Sequence, residues 1–199
     1  MPSPQKAKGS GFEREIAKFL SDTYGESFIR APGSGAYVGG SNQVRTLTLH
    51  EGQIRSFKGD VVPGQSFNKM NIECKFYADF PFNLALAGNC KILEDWLNQL
   101  MEVSEVGDVN LLIMKFNRKG RFIAVQSNLT WITDQFMYYT SVKHKDWLII
   151  EFDHFFAHNK DLLKTYSYTG TTPIPTPELT DTKSSKIITS KNISNIQIN

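Results

Sequence analysis

The chain has 199 residues, of which 40% are hydrophobic, 21% charged and 12% aromatic, with a formal net charge of +2 and a pI near 8.4. That is enough for one domain with a real core plus an appendage, and the only two cysteines, Cys74 and Cys90, exclude a disulfide scaffold and a four-cysteine zinc site. No apolar run approaches the roughly 20 residues of a membrane helix, and the opening Met1-Pro2-Ser3-Pro4-Gln5-Lys6 lacks the apolar stretch of a signal peptide; a soluble protein of a reducing, intracellular compartment is expected, with no membrane partner.

Residues 1–75 hold ten Lys/Arg against seven Asp/Glu, and the remainder twelve against thirteen. A mild basic bias in the first half is compatible with a nucleic-acid partner and does not demand one.

In chain order, Phe12, Ile16, Phe19 and Leu20 make one apolar helical face, with Ser10 as N-cap, Glu13 at capping-box spacing and Gly25 as the stop. Ser27–Arg30 reads as a short strand, and Ala31-Pro32-Gly33-Ser34-Gly35 as a glycine-rich turn. Residues 36–57 read as a long loop with short strands around Val44–Leu49. Lys58–Val62 reads as a strand ending at Pro63-Gly64. From Met70 the sequence alternates with period two: Met70, Ile72, Cys74 and Phe76 face one side, Asn71, Glu73, Lys75 and Tyr77 the other. After an irregular stretch over 78–90, Ile92, Leu93, Trp96, Leu97, Leu100 and Met101 define an amphipathic helix, closed by Gly107. Val109–Phe116 is a continuous apolar run suited to a buried strand, with Arg121–Val125 as its hairpin partner. The spacing predicts a short helix over Leu129–Tyr139, a strand over Trp147–Phe152 and a last helix over Phe155–Leu163. Pro173, Pro175 and Pro177 break any regular element after Tyr166. The expected division is a catalytic domain over 1–166 and a mostly disordered tail over 167–199.

The chemistry concentrates in Asp60, Glu73 and Lys75. Period two puts Glu73 and Lys75 on one face, and an Asp on a neighbouring strand can come close to both. Two carboxylates so placed suit Mg²⁺, which takes one or two carboxylates plus water and phosphate oxygens. The carbonyl of Cys74, between them, can add an oxygen, whereas its thiol reads as a small core group. A lysine beside them can orient a water or offset phosphoryl charge. Arg30, at a strand end before the Gly-Ser-Gly turn, offers a phosphate contact. As a bare pattern, Asp and Glu-x-Lys also occur on solvated hairpin faces.

The strings Lys8-Gly9-Ser10-Gly11-Phe12-Glu13-Arg14-Glu15-Ile16, Ile29-Arg30-Ala31-Pro32-Gly33-Ser34-Gly35, Gly59-Asp60-Val61-Val62 and Ile72-Glu73-Cys74-Lys75, in that order over about residues 6–126, together resemble the Holliday junction resolvases of the PD-(D/E)XK nuclease superfamily, above all those carried by bacteriophages. The resemblance implies an α/β, restriction-endonuclease-like fold, a central mixed sheet flanked by helices. It implies Mg²⁺-dependent hydrolysis of DNA phosphodiesters, with Mn²⁺ as a substitute. It gives metal binding to Asp60 and Glu73, with Glu13 as an extra acidic ligand or water-positioner beside the Cys74 carbonyl already noted, and catalytic roles to Glu13, Asp60, Glu73 and Lys75. DNA contacts fall to Lys8, Arg14, Arg30, Ser34 and Gln99, the last standing for a glutamine that many relatives aim at the site from the following helix. The partners implied are branched or duplex DNA and a second copy of the chain, in the host cytoplasm if the gene is a phage's. Lys6, Lys8, Arg14, Arg30, Arg45, Arg55 and Lys58 are expected on a basic surface. A dimer surface is expected on the Trp96–Met101 helix or along Trp147–Phe156. One departure is Gly59, where the superfamily usually has proline; another is the long 36–57 loop. The alternatives are a general phage nuclease acting on ends, flaps or packaged DNA, and a non-catalytic DNA-binding or assembly module on the same fold.

Overall fold

The computed structural model describes residues 4–31, 58–170 and the backbone of 187–188. The turn at 32–35, Ser34 included, the 36–57 loop with its expected strands, and most of the expected tail lie outside the described residues.

Helix α1 (Pro4–Tyr24) is followed by strands β1 (Ile29–Arg30), β2 (Val61–Val62) and β3 (Met70–Tyr77). Short helix α2 (Phe82–Leu86) and helix α3 (Lys91–Glu102) lead to β4 (Val109–Phe116), β5 (Gly120–Gln126), β6 (Trp131–Ile132), β7 (Met137–Ser141) and β8 (Lys145–Glu151). Helix α4 (Phe152–Ser167) follows, and β9 (Ile187–Ile188) pairs with β6.

The five-stranded sheet has the order β3-β4-β5-β8-β7, with β3–β4 parallel and every other pair antiparallel. A parallel pair needs a crossover, here the segment carrying α2 and α3. One face packs against α1 and α4: Phe12, Ile16 and Leu20 meet Ile72, Ile113, Val125 and Ile150, and Phe152 and Phe155 close the layer. The other packs against α3, whose Leu93, Trp96, Leu97 and Leu100 meet Leu112, Met114, Ala124 and Ile149. Helices on both faces bury β4 on both sides, which explains its uninterrupted apolar run. Each such leucine or isoleucine contributes about 1.5–3 kcal/mol of transfer free energy. No helix among the described residues is long and apolar enough to cross a membrane.

Several expectations need correction. Ser10 does not cap a helix, because α1 begins six residues earlier and the Ser10 hydroxyl donates to the Ala7 carbonyl at 3.2 Å inside it. Gly25 does stop the helix, at φ +70 with its N–H on Ser21 O. The 78–90 stretch contains α2. The helix expected over Leu129–Tyr139 is instead two strands. The Asn159 side chain bonds both the N–H and the carbonyl of Ile132, holding that backbone extended, and Tyr139 pairs with Trp147 across β7–β8. Trp96, Leu97 and Leu100, and equally Trp147, Phe152, Phe155 and Phe156, are buried in the chain's own core, so these apolar side chains are not free for a partner. At the C-terminal end packing continues past Tyr166: Tyr168 lies edge-on to Phe67 and the Thr169 N–H bonds Ser66 O at 2.7 Å.

Candidate active site

β3 is an edge strand, with β4 on one side only. Its other edge is met by the segment entering β2. The Asp60 N–H donates to Ile72 O at 2.8 Å, and the Asp60 carboxylate accepts the Cys74 N–H through Oδ2 at 2.9 Å. The Asp60 carbonyl accepts the N–H of Ala31, joining the segment to β1. In an extended strand a residue's N–H and C=O point to the same side. The Cys74 carbonyl therefore shares the Asp60 edge.

This seat explains the missing proline. Gly59 has φ +69, and a Cβ there would lie 2.4 Å from Ile72 O. Proline is locked near φ −65° and cannot adopt this turn, and any side chain would strike the strand.

Glu73 and Lys75 stand on the α3 face of the same strand. Lys75 Nζ is 2.7 Å from Glu73 Oε1 and 2.7 Å from Gln99 Oε1, and Gln99 Nε2 donates to Glu73 Oε1 at 2.6 Å. Gln99 thus closes a triangle with the strand's acid and base. Glu73 is 2% exposed and Asp60 4%. Burial first, then the charge of Asp60, push the Glu73 carboxyl up to about 7, against the pull of Lys75. Glu13 reaches the same region from α1. Burial and then Asp60 raise its carboxyl above the usual range, while Arg30 opposes them by donating from Nε to Glu13 Oε2.

The donor set fits a hard divalent cation. Asp60 and Glu73 are both buried and the charge of Asp60 disfavours ionised Glu73, a conflict a cation relieves. Both offer oxygen, and so does the Cys74 carbonyl. The Cys74 thiol is buried against the α1 side, its pKa driven well up by burial and by the acids around it, so it stays protonated. Among the described residues no group of three His, Cys, Asp or Glu side chains is gathered into a cage. Two carboxylates and a carbonyl suit Mg²⁺, which keeps several waters, better than a cation needing a full protein shell.

Asp60, Glu73, Lys75, Gln99 and the Cys74 main chain are therefore brought together, with Glu13 within electrostatic reach. Lys8 and Arg14 are exposed on α1. Arg30 is held by Glu13 instead of standing free. Lys58 departs most from expectation: it is 7% exposed and ion-paired with Asp108 and Glu105, so it is no part of a basic surface. Sequence reasoning missed Asp108 because its partner lies 50 residues away and no local pattern links them.

A mixed sheet flanked by helices, with Glu-x-Lys on its edge strand and an aspartate laid along that edge, is a restriction-endonuclease-like fold of the PD-(D/E)XK nucleases. The model of the family "Phage putative PDDEXK endonuclease" matches residues 4–165, and the chain belongs to that family. No curated protein and no solved structure matches the chain. Membership makes it a hydrolase of nuclease type with DNA as its substrate class, and nucleases of this kind generally depend on a divalent metal.

Proposed function

We propose that the protein is a Mg²⁺-dependent, structure-selective DNA endonuclease that resolves Holliday junctions or related branched DNA, working as a homodimer in the host cytoplasm. The observation that carries the reading is the meeting of Asp60, Glu73 and Lys75 along the edge of β3 that the Asp60 segment joins.

In this reading Asp60, Glu73 and the Cys74 carbonyl hold the metal, with Glu13 behind them. Bound Mg²⁺ would polarise the scissile phosphate and lower the pKa of a water. Lys75 carries a fixed positive charge beside the carboxylates and can donate to a phosphate oxygen or orient the attacking water. Gln99 holds the Lys75 and Glu73 side chains in one geometry, so neither must be reoriented during reaction. Arg30 neutralises Glu13, and the exposed Lys8 and Arg14 offer phosphate contacts along α1. The roughly neutral chain charge fits recognition of backbone shape better than broad polyanion binding.

The test is cleavage with Mg²⁺ of four-way junction, flap, single-stranded and linear duplex DNA built from one sequence. Preference for the junction supports the reading. Equal cutting of all four supports a general nuclease, and no cutting of any supports a binding module.

A further inference from the structure

Lys58 is a buried ammonium two residues before Asp60 and, unlike Arg30, its ion pairs are with acids outside the site. Its side chain is 8% exposed and reaches Asp108, whose side chain is 1% exposed. Glu105 adds a longer contact at 3.3 Å. Asp108 Oδ2 also accepts the N–H of Glu105 at 2.7 Å, while its Oδ1 is buried without a hydrogen-bond partner. A buried carboxylate left half-satisfied depends on its counter-ion.

The location gives the pair its meaning. Asp108 immediately precedes β4, whose first residue, Val109, donates its N–H to Lys69 O at 2.7 Å and stands opposite Met70 at the start of β3. Lys58 is two residues before Asp60. Between them Gly59 presses its backbone on Ile72 O. The pair therefore ties the segment that delivers Asp60 to the strand pair that delivers Glu73 and Lys75.

We propose that Lys58 and Asp108 form a buried clamp that positions Asp60 against the β3 edge. Lys58 is a positioning residue, and its catalytic consequence rests on the proposed nuclease reading of Asp60. Without the clamp, the segment loses the side-chain anchor that the described residues show before Gly59 and relies on the Asp60 main-chain bonds to Ile72 and Ala31 and on the β1–β2 pairing after it. Asp60 then leaves the Cys74 amide for part of the time. Coulomb attraction alone does not require this particular pairing, since Glu105 could serve Lys58 from solvent; the burial of Asp108 is what fixes the place.

The test uses the full chain and two readouts. Lys58→Met alone strands a buried carboxylate and can fail to fold, so the informative variant is the double Lys58→Met/Asp108→Leu, which fills the same space with apolar groups. Amide hydrogen exchange is followed at Cys74 and Asp60, whose N–H groups report the two bonds of the seat, with Leu111 and Ile113 in β4 as controls. Exchange at Cys74 and Asp60 should speed at least tenfold while the controls hold. Lys58→Arg, which keeps the charge, should restore protection. Native protection of both amides in the double variant overturns the clamp. Cleavage is then read on the same variant. A kcat at least tenfold lower with unchanged KM supports the catalytic consequence. Accelerated exchange with native kcat leaves the clamp standing and removes Asp60 from the nuclease reading.

Discussion

The N–H of Cys74 donates to Asp60 Oδ2 at 2.9 Å, so the first acid of the site is fixed to the strand that presents the second. This cross-link holds Asp60 near Glu73, where its charge adds to burial, the larger cause, in raising the Glu73 carboxyl.

Catalysis and binding should separate. Asp60→Asn, Glu73→Gln and Lys75→Ala should each lower cleavage by about two orders of magnitude or more, the range for removing a metal ligand or a fixed charge from a phosphoryl-transfer site. Affinity for an uncut junction should change by no more than about threefold, because binding rests on many phosphate contacts. Single-turnover rates and gel-shift titrations on the same variants check this. Native cleavage by Glu73→Gln would remove that residue from the site.

The pH dependence of stability follows from Glu73. Its folded pKa, about 7, lies above the ordinary carboxylate value of 4.5. Between these values the unfolded chain has lost the proton and the folded chain retains it, so stability falls as pH rises through this window and levels off above it. The loss is on the order of a few kcal/mol. Glu73→Gln should thus be more stable than the native chain at pH 8 and equal to it at pH 4. Mg²⁺ should raise the native thermal midpoint at pH 8 more than at pH 5, because binding must displace the proton. Midpoints that do not converge at low pH would contradict the assigned cause.

Gly59 and Gly88 form a natural pair of probes. Both have left-handed backbones, φ +69 and +68, but only Gly59 has a neighbour, Ile72 O, in the way of a side chain. Gly88→Ala should cost about 1–2 kcal/mol in backbone strain and leave cleavage intact. Gly59→Ala should cost more and abolish cleavage, because relieving the clash moves Asp60 off the strand. Denaturant midpoints and initial rates compare them. Equal effects from the two substitutions would dismiss the close approach as the reason for glycine.

How much of this was legible beforehand depends on sequence distance. Glu73 and Lys75 share a face because a strand has period two, and Met70–Tyr77 announces that period plainly. The buried run Val109–Phe116 and the α3 apolar stripe were equally readable. The pairings of Arg30 with Glu13, and of Lys58 with Asp108, were not, because charged residues 17 and 50 positions apart carry no local signature. From sequence alone Arg30 and Lys58 both read as surface cations, the usual fate of Lys and Arg. Leu129–Tyr139 misled for a related reason: its apolar spacing suits a helix, and the side chain that holds it extended, Asn159, comes from α4.

The chain end should divide sharply. Tyr168 and Thr169 are anchored on Phe67 and Ser66. The residues beyond 170 are rich in Thr, Ser and Pro and supply no long apolar face. Deleting 171–199 also removes the two-residue β9 from its pairing with β6, and should shift the thermal midpoint by about 2–4 °C, equivalent to about 1 kcal/mol at this size. Deleting 168–199 should cost visibly more, since it strips an aromatic contact and a backbone hydrogen bond from the core's edge. Identical midpoints for the two truncations would show that Tyr168 and Thr169 contribute nothing.

The preference for branched DNA should come from geometry and not from sequence. One site cuts one strand, and resolving a four-way junction takes two cuts related by symmetry, which a two-fold dimer supplies at fixed spacing. The α3 stripe and the Trp147–Phe156 aromatics are buried in the chain's own core, so the proposed dimer is expected to use other side chains. With Lys58 and Arg30 both held by acids, the exposed Lys8 and Arg14 on α1 are the residues proposed for phosphate contact near Glu13. Replacing both with alanine should reduce the slope of log affinity against log salt by roughly 1.8, close to one unit per lost phosphate contact, without altering the order of DNA preferences. The junction preference itself should survive exchange of arm sequences, because phosphate contacts carry no sequence information. Competition binding of junction against duplex, together with sedimentation of the free protein and of the complex, provides the check. A monomer that cuts linear duplex as fast as a junction would replace junction resolution with general nuclease action, while Asp60, Glu73 and Lys75 kept their roles.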